Sequence, residues 1–298
     1  MIKNFDTFRI INITNMDQQI IELYDKYTHS LLNRKDFFKR LALLTGGTAA
    51  ALALMPMLKN NYANAAITKS DDLFTEYVNY PGVPGEMKAY VVRPKENKKY
   101  PAIVIIHENR GLNAHIEDVA RRAANAGYLA IAPNALSALG KTFADEDESR
   151  KAFSELKAPD NLTNFINAFD YLSTRKDYNG KAGCVGFCWG GAMANNLAVH
   201  VPSLKAAVAF YGSQPKAEDV AKIKAAIQTH NAGLDERINA GIAAYEEAMK
   251  NNNIRFESYL YENVNHAFHN DTSPTRYNEA AAKLAWQRTL DFFKKYVN

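Results

Sequence analysis

The chain has 298 residues, of which 47% are hydrophobic and 23% are charged, an ordinary composition for a globular protein. Most of its formal net charge of +4 comes from residues 1–65, because residues 66–298 carry 28 basic and 27 acidic side chains. This balance gives no indication of a nucleic-acid surface. Two cysteines are too few for a disulfide scaffold.

Residues 1–65 have the order of an export leader. A long polar start is followed by basic residues between 33 and 40, an uncharged apolar run at 41–58 and an A-x-A pattern at 63–65. Arg34-Lys35-x-Phe-Phe-Lys is similar to a twin-arginine signal, with lysine in the second position. The sequence predicts passage through the export machinery to the periplasm, with the membrane contacted only through an uncleaved leader. The alternatives are a membrane anchor and a cytoplasmic N-terminal helical hairpin.

Strands and helices alternate through residues 66–298. Apolar runs predict strands at Ala89–Val92, Ala102–Ile106, Tyr128–Ala132, Lys181–Phe187, Leu204–Tyr211, Ala225–Thr229 and Phe256–Tyr261. Helical apolar stripes lie at 116–123, 162–172 and 238–249, and further helices are predicted from 189 and over 277–297. The alternation predicts one α/β domain with a doubly wound, mostly parallel sheet and helices on both faces. The charged loop 137–159 is predicted to be an insertion over the functional site.

Gly186-Phe187-Cys188-Trp189-Gly190 lies where a predicted buried strand turns into a helix. A nucleophile elbow presents its reactive side chain on such a turn, with glycines where only a hydrogen atom fits. The pattern therefore predicts Cys188 as a nucleophile, the alternative being a core cysteine at a glycine-rich strand end. Cys184 is interpreted as an inert core thiol, too far along the strand to pair with Cys188.

Two later loops carry partners for this thiol. Asp235 and His266 each follow a predicted strand, and the order nucleophile, acid, histidine is that of α/β-hydrolases. In that arrangement His266 takes the thiol proton and Asp235 orients its ring. Asp235 is equally suited to cap the next helix, and His266 to a structural loop role. His266 and His269 lack a third ligand at matching spacing, so no metal is predicted.

The segment His107-Glu108-Asn109-Arg110-Gly111 follows the strand at 102–106. In this fold class that loop and the residue after the nucleophile supply the oxyanion-hole amides, here Asn109 and Trp189. Glu108 is a carboxylate directed at the site, unless it forms an ion pair with a neighbouring arginine.

These elbow and loop motifs, with Asp235 and His266-Ala267-Phe268, resemble the dienelactone hydrolase (carboxymethylenebutenolidase) family over most of residues 75–297. With the leader, the chain is similar to the exported branch of that family. The resemblance implies an α/β-hydrolase fold, the triad Cys188, Asp235 and His266, and contact of Glu108 with the resting thiol. A family arginine that grips the substrate carboxylate is replaced by Asn270. Arg150 is a loosely aligned second binding arginine, and Arg110 is a further candidate.

The expected function is hydrolysis of a small-molecule ester or lactone through a thioacyl intermediate, without a cofactor. A non-catalytic binding protein on the same fold is the first alternative. A thiol redox enzyme is the second, which Cys184 does not support because it cannot reach Cys188.

Overall fold

The computed structural model describes residues 16–29, 31–62, 65, 68–69, 71–141, 143 and 145–298. Eight strands form one sheet in the order β1-β2-β4-β3-β5-β6-β7-β8. β1 and β2 are antiparallel to their neighbours, whereas the pairs from β4 across to β8 are all parallel. The strands are β1 Leu73–Pro81, β2 Glu86–Pro94, β3 Tyr100–Ile106, β4 Leu129–Asn134, β5 Tyr178–Phe187, β6 Ala206–Phe210, β7 Ala226–Ala232 and β8 Phe256–Tyr261. The predicted mostly parallel sheet is confirmed.

Helices cover both faces of the sheet. Two apolar clusters separated by the sheet form the core of the domain, one with Phe165 and Leu197 and the other with Ile116 and Phe293. Their helices are α4 Ala114–Asn125, α6 Ala158–Thr174, α7 Trp189–His200, α9 Ile242–Asn251 and α10 Glu279–Tyr296. Alternate residues of each parallel strand therefore point into different clusters, which explains the unbroken apolar runs of the sequence.

Three local expectations differ from the structure. Edge strand β1 was not predicted, because its outer positions are polar or exposed and its apolar signal is weak. The helix expected over 238–249 is divided into α8 Glu236–Asn239 and α9, with Gly241 between them. The expected loop 137–159 contains the end of a 3₁₀ helix at Ala135–Leu139 and α5 Glu146–Phe153, whose charged residues conceal a short amphipathic pattern.

The N-terminal segment forms α1 Gln18–Thr28, α2 Arg34–Thr45 and α3 Thr48–Leu58. Their apolar faces share a small core that includes Phe37, Leu41 and Leu58. Gly46 ends α2 in the left-handed conformation with φ 79°, and α3 turns away at 109°. No single helix in the described ranges is long and apolar enough to cross a membrane, although the bent pair reaches those values together. Export of residues 1–65 stays a prediction, and positions 63 and 64 of its A-x-A pattern lie outside the described residues.

Candidate active site

Cys188 occupies the turn between β5 and α7 with φ 56° and ψ −112°, a strained backbone conformation for a residue with a side chain. Its amide donates a 3.0 Å hydrogen bond to the carbonyl oxygen of Phe210, which fixes the turn against β6. A Cβ atom at Gly186 would overlap the carbonyl oxygen of Gly190, and one at Gly190 would lie 2.6 Å from the carbonyl oxygen of His107. The two glycines are therefore required by close backbone packing, as expected for an elbow.

Asp235 and His266 form a buried pair beside this turn. Nδ1 of His266 lies 2.5 Å from Oδ2 of Asp235, and each side chain is no more than 5% exposed. The other carboxylate oxygen of Asp235 accepts a 3.3 Å hydrogen bond from the amide of Ile238, so the residue also caps α8. Asp235 therefore caps α8 and contacts His266 at the same time, and its role in a triad stays a prediction. Because Asp235 binds Nδ1, the Nε2 atom of His266 is left for the sulfur.

A second histidine, His29, also reaches the sulfur. Its Nε2 lies 3.2 Å from Sγ of Cys188, while its Nδ1 lies 2.8 Å from the carbonyl oxygen of Asp25 and 3.3 Å from the Asp25 carboxylate. The rings of His29 and His266 meet edge to face with centroids 4.7 Å apart. Neither His29 nor Asp25 was predicted as a site residue, because both lie in the segment whose pattern predicts a leader. Their four-residue spacing at the end of a helix was the available signal.

The charges of this cluster favour the thiolate. Burial by itself raises the pKa of the Cys188 thiol, but His29 and His266 outweigh it and lower that pKa to about 6. Burial likewise opposes protonation of His29, yet Cys188 and Asp25 raise its pKa to about 9. The pKa of His266 is also raised, against burial, by Asp25, Cys188 and Asp235. Cys184 shows the opposite case, since burial without a charged partner raises its pKa.

The predicted oxyanion residues lie beside the sulfur. Asn109 follows β3, Trp189 is the first residue of α7, and both line a cavity with Cys188. The first amides of a helix have no carbonyl partner within it, so the amide of Trp189 is suited to an oxyanion. The side chain of Asn109 donates a 2.9 Å hydrogen bond to the carbonyl oxygen of Thr28, which ties the oxyanion loop to α1.

Glu108 and Asn270 are buried and bonded to each other. Nδ2 of Asn270 donates a 2.8 Å hydrogen bond to Oε2 of Glu108, while Oε1 of Glu108 has no hydrogen-bond partner in the described part of the chain. In the described residues no hydrogen bond joins Glu108 to the thiol, whose hydrogen-bonding neighbour is His29, and the expected contact of Glu108 with the thiol stays a prediction. Asn270 is 1% exposed. It therefore positions Glu108 and is not placed as a surface for substrate.

The two candidate arginines have different surroundings. Arg110 is buried, donates to the side chain of Asn109 at 2.9 Å and lies 3.5 Å from Glu146, so its charge is already paired. Arg150 lines the cavity that contains Cys188. Its guanidinium lies 4.5 Å from the centre of the Tyr27 ring and donates to the Tyr27 hydroxyl at 3.1 Å. Of these two arginines, Arg150 lines the cavity that contains Cys188 and Arg110 does not.

Two cavities approach the cluster. The first, here called the nucleophile cavity, has a volume of about 280 Å³ and is lined by His29, Asn109, Arg150, Phe153, Ser154, Cys188, Trp189, Ala192, Tyr211, Ser213, Arg237 and Ile238. The second, the histidine cavity, has about 340 Å³ and is lined by Ile21, Glu22, Asp25, Lys26, Leu31, Leu234, Asp235, Glu236, Arg237, Asn265, His266 and Arg276. His29 and the sulfur border the first cavity, and the Asp235–His266 pair borders the second.

Tyr211 is a further residue that the sequence analysis did not single out. It directly follows β6 and lines the nucleophile cavity, and its ring is tilted against that of His266 with centroids 4.8 Å apart. Its buried hydroxyl has no hydrogen-bond partner in the ranges that the structure describes. Its place at the carboxyl end of a strand was a usable signal.

The ligand atoms of His29, Cys188 and His266 lie within 4.8 Å of one another, a grouping with the chemistry of a zinc site. From the sequence, His266 and His269 were the pair weighed as metal ligands, but His269 does not belong to this grouping. His269 is fully buried against Phe187, and burial lowers its pKa well below the usual value.

An elbow at the end of a central strand, with an acid and a histidine arriving on later loops, defines the chain as an α/β-hydrolase. The dienelactone hydrolase family model matches residues 87–297, and the chain belongs to this family. A second model, described as YqhI-like, matches residues 13–47.

Individual relatives agree with this assignment. A "Putative carboxymethylenebutenolidase" of Methylorubrum extorquens is 30% identical over 92% of this chain and 98% of its own length. One of the same description from Escherichia coli O157:H7 is 32% identical over 77% of this chain and 90% of its own. The crystal structure of a "Putative Dienelactone Hydrolase" from Klebsiella pneumoniae matches with a TM-score of 0.69 and 28% identity, covering 75% of this chain and 99% of that one. The Methylorubrum alignment is longer than residues 66–298 alone, so it extends into the N-terminal segment.

Proposed function

We propose that this enzyme hydrolyses carboxylic esters or lactones with Cys188 as nucleophile, His266 as base and Asp235 as the group that orients the histidine. The observation that carries the proposal is the strained position of Cys188 with the buried Asp235–His266 pair within reach of its sulfur. Membership of the dienelactone hydrolase family supports ester or lactone chemistry in general.

In the proposed reaction the thiolate attacks the acyl carbonyl carbon and forms a thioacyl enzyme. Backbone amides of Asn109 and Trp189 hold the oxyanion, and loss of one such donor typically costs about 100-fold or more in rate. Water then attacks the thioester and releases the acid. The lowered pKa of Cys188, about 6, supports the first step because most of the thiol is ionised at neutral pH.

The walls of the nucleophile cavity favour a small acyl compound with an acidic group. Phe153, Trp189 and Ile238 provide apolar surface, while Arg150 provides a positive charge next to them. The nucleophile cavity has a volume of about 280 Å³, which is at the small end for ligand sites. Two relatives are each described as a "Putative carboxymethylenebutenolidase". The carboxymethylene butenolide of that description is a lactone that carries a carboxylate. Because Asn270 replaces the family arginine, we propose that Arg150 receives this carboxylate.

The test is turnover of aryl esters and lactones by the purified full-length chain, compared with Cys188→Ala and with Cys184→Ala as the matched thiol control. We expect the first variant to lose turnover and the second to keep it. Mass spectrometry after rapid acid quenching should find the acyl group on the peptide that contains residue 188. Unchanged turnover in Cys188→Ala contradicts the mechanism. Tight binding of lactones without turnover favours the alternative of a non-catalytic binding protein.

A further inference from the structure

The N-terminal helix brings a second carboxylate–imidazole pair to the sulfur. In both pairs a carboxylate faces Nδ1, at 3.3 Å in Asp25–His29 and at 2.5 Å in Asp235–His266, and a ring nitrogen of each histidine lies within 4.8 Å of Sγ of Cys188. His29 is the nearer partner, with a hydrogen-bonding distance of 3.2 Å to Sγ. A carboxylate on the far nitrogen is the arrangement that holds a catalytic imidazole in one tautomer.

The position of His29 is fixed by contacts from several loops of the site. Arg276 lies 3.8 Å from the Asp25 carboxylate, and Gln18 donates a 2.7 Å hydrogen bond to Asn265, the residue before His266. At the other end of α1, Asn109 bonds to the carbonyl oxygen of Thr28. The loops that carry the oxyanion residue and the catalytic histidine therefore both hold α1. His29 itself is largely buried, with 14% of its side chain exposed.

The two imidazoles border different spaces. His29 lines the nucleophile cavity together with Cys188, Asn109 and Trp189, where the acyl group and its leaving group have to lie. His266 lines the histidine cavity with Asp235 and Asp25, and one of its ring nitrogens lies within 4.8 Å of the sulfur. An acid for the leaving group is needed in the first space, and a base for water can operate from the second.

We propose that His29, oriented by Asp25, is a second catalytic histidine that protonates the leaving group, while His266 activates the hydrolytic water. This assignment rests on the proposed function of Cys188 as the nucleophile. Under this proposal residues 17–29 belong to the active site. The Asp25–His29 pair comes from this N-terminal segment and is not supplied by the α/β domain.

In the acylation step, an electron pair of the Cys188 thiolate forms the carbon–sulfur bond. The tetrahedral intermediate then breaks the ester carbon–oxygen bond, and the alkoxide takes the proton from Nε2 of His29 and leaves as an alcohol. His29 becomes neutral. Consumption of the thiolate removes one of the charges that raise the pKa of His266, while Asp25 and Asp235 keep theirs. In the proposed cycle His266 then releases its proton to solvent.

In the deacylation step, water attacks the thioacyl carbon and gives one proton to the neutral His266. Collapse of this intermediate breaks the carbon–sulfur bond, restores the thiolate and frees the carboxylic acid. The acid passes its proton to His29, so both rings return to their starting state. The cycle consumes one ester and one water and releases an alcohol, a carboxylate and the single proton that His266 gave to solvent.

The experiment uses full-length His29→Gln and Asp25→Asn, with His200→Gln as a control, because His200 lies on the exposed end of α7 away from the site. Ionisation of Cys188 is followed by thiolate absorbance against pH, and acylation by the burst of phenol from phenyl acetate, a more basic leaving group that gains from a proton. Burial raises the pKa of Cys184, which keeps that thiol out of the titration.

For His29→Gln we expect the thiol midpoint to rise from about 6 toward 8.5. Acylation at pH 7 should then fall more than about 30-fold, because loss of the acid adds to the smaller thiolate fraction. Both rates should converge near pH 9.5, where either protein holds the thiolate and His29 has lost most of its proton. Asp25→Asn should show the same pattern more weakly, and His200→Gln should match the unmodified enzyme. Rate convergence at high pH separates a proton-transfer role from loss of structure, which would lower the rate at every pH.

Four results would overturn the proposal. The first is an unchanged thiol midpoint and an unchanged burst in His29→Gln. This result would exclude the role of His29, while Cys188→Ala would still test the nucleophile independently. The second is a gain in turnover on losing His29, as expected of a helix that merely blocks the site. The third is a fully active mature protein that begins after residue 65, since His29 would then be dispensable. The fourth is activity that is lost to a chelator and regained with Zn²⁺, since His29 would then be a metal ligand.

Discussion

The site contains two carboxylate–imidazole pairs that reach the same sulfur from different parts of the fold. Asp235 and His266 lie on loops after β7 and β8, so the parallel sheet itself fixes their positions. Asp25 and His29 lie at the end of α1, which belongs to a segment with its own small core. The first pair is the tighter, at 2.5 Å against 3.3 Å.

This difference separates what the sheet supplies from what the N-terminal segment adds. A pair on the sheet edge is preorganised as soon as the domain folds. A pair on α1 depends on docking contacts such as Gln18 with Asn265 and Arg150 with Tyr27. Removing or loosening α1 would therefore change the proton chemistry and leave the elbow and the sheet-borne pair in place.

The largest effect is expected where both pairs converge. Cys188→Ala removes the nucleophile and should lower kcat by about 10⁴-fold or more, as for other nucleophile knockouts. Steady-state turnover of an aryl ester measures this loss, with Cys184→Ala as the control that keeps activity. Retained turnover would show that Cys188 is not the nucleophile, so that the two pairs would have no catalytic thiolate in common.

Loss of the sheet-borne histidine should have the next largest effect. His266→Gln is expected to lower kcat by about 10³-fold, because it removes the imidazole proposed to take the proton from water. Combining it with His29→Gln should cost less than the product of the two single losses, since the two rings serve one thiolate. Multiplicative losses in the double variant would show that the histidines act independently.

The pH profile compares the two ionisations directly. A lowered thiol pKa means that thiolate is lost as the pH falls through about 6, and a raised imidazole pKa means that the His29 proton is lost as the pH rises through about 9. The value of kcat/KM should therefore follow a bell between these limits. A rate that keeps rising above pH 9 would show that the proton on His29 is not required.

The smallest effect is expected at the contact between α1 and the substrate space. Arg150→Gln removes the positive charge beside Tyr27 in the nucleophile cavity and should raise KM about tenfold for an ester with a free carboxylate. A neutral ester of the same size is the matched comparison, and its KM should change little. Equal changes in KM for both esters would indicate that Arg150 acts through its contact with Tyr27 of α1 and not through the substrate carboxylate.

Much of this arrangement could be predicted from local patterns. Gly186 and Gly190 around Cys188 are dictated by backbone overlaps of neighbouring residues, so the motif itself predicts the turn. The strands of the parallel sheet were visible as apolar runs because both faces are covered. Asp235 and His266 follow such strands, and chain order was enough to pair them. Edge strand β1 was missed, since an edge is marked by few apolar positions.

The sequence by itself thus determined the sheet, the elbow and the residues that the sheet carries to its edge, because these depend on short-range periodicity and on backbone clearance. Only the tertiary structure decided that His29 meets Cys188, 159 residues away, and that Glu108 meets Asn270 and Arg110 meets Glu146. Such contacts come from how a separate helical segment packs on the domain. Packing of this kind depends on the shape and charge of both surfaces, which no local pattern in either segment contains.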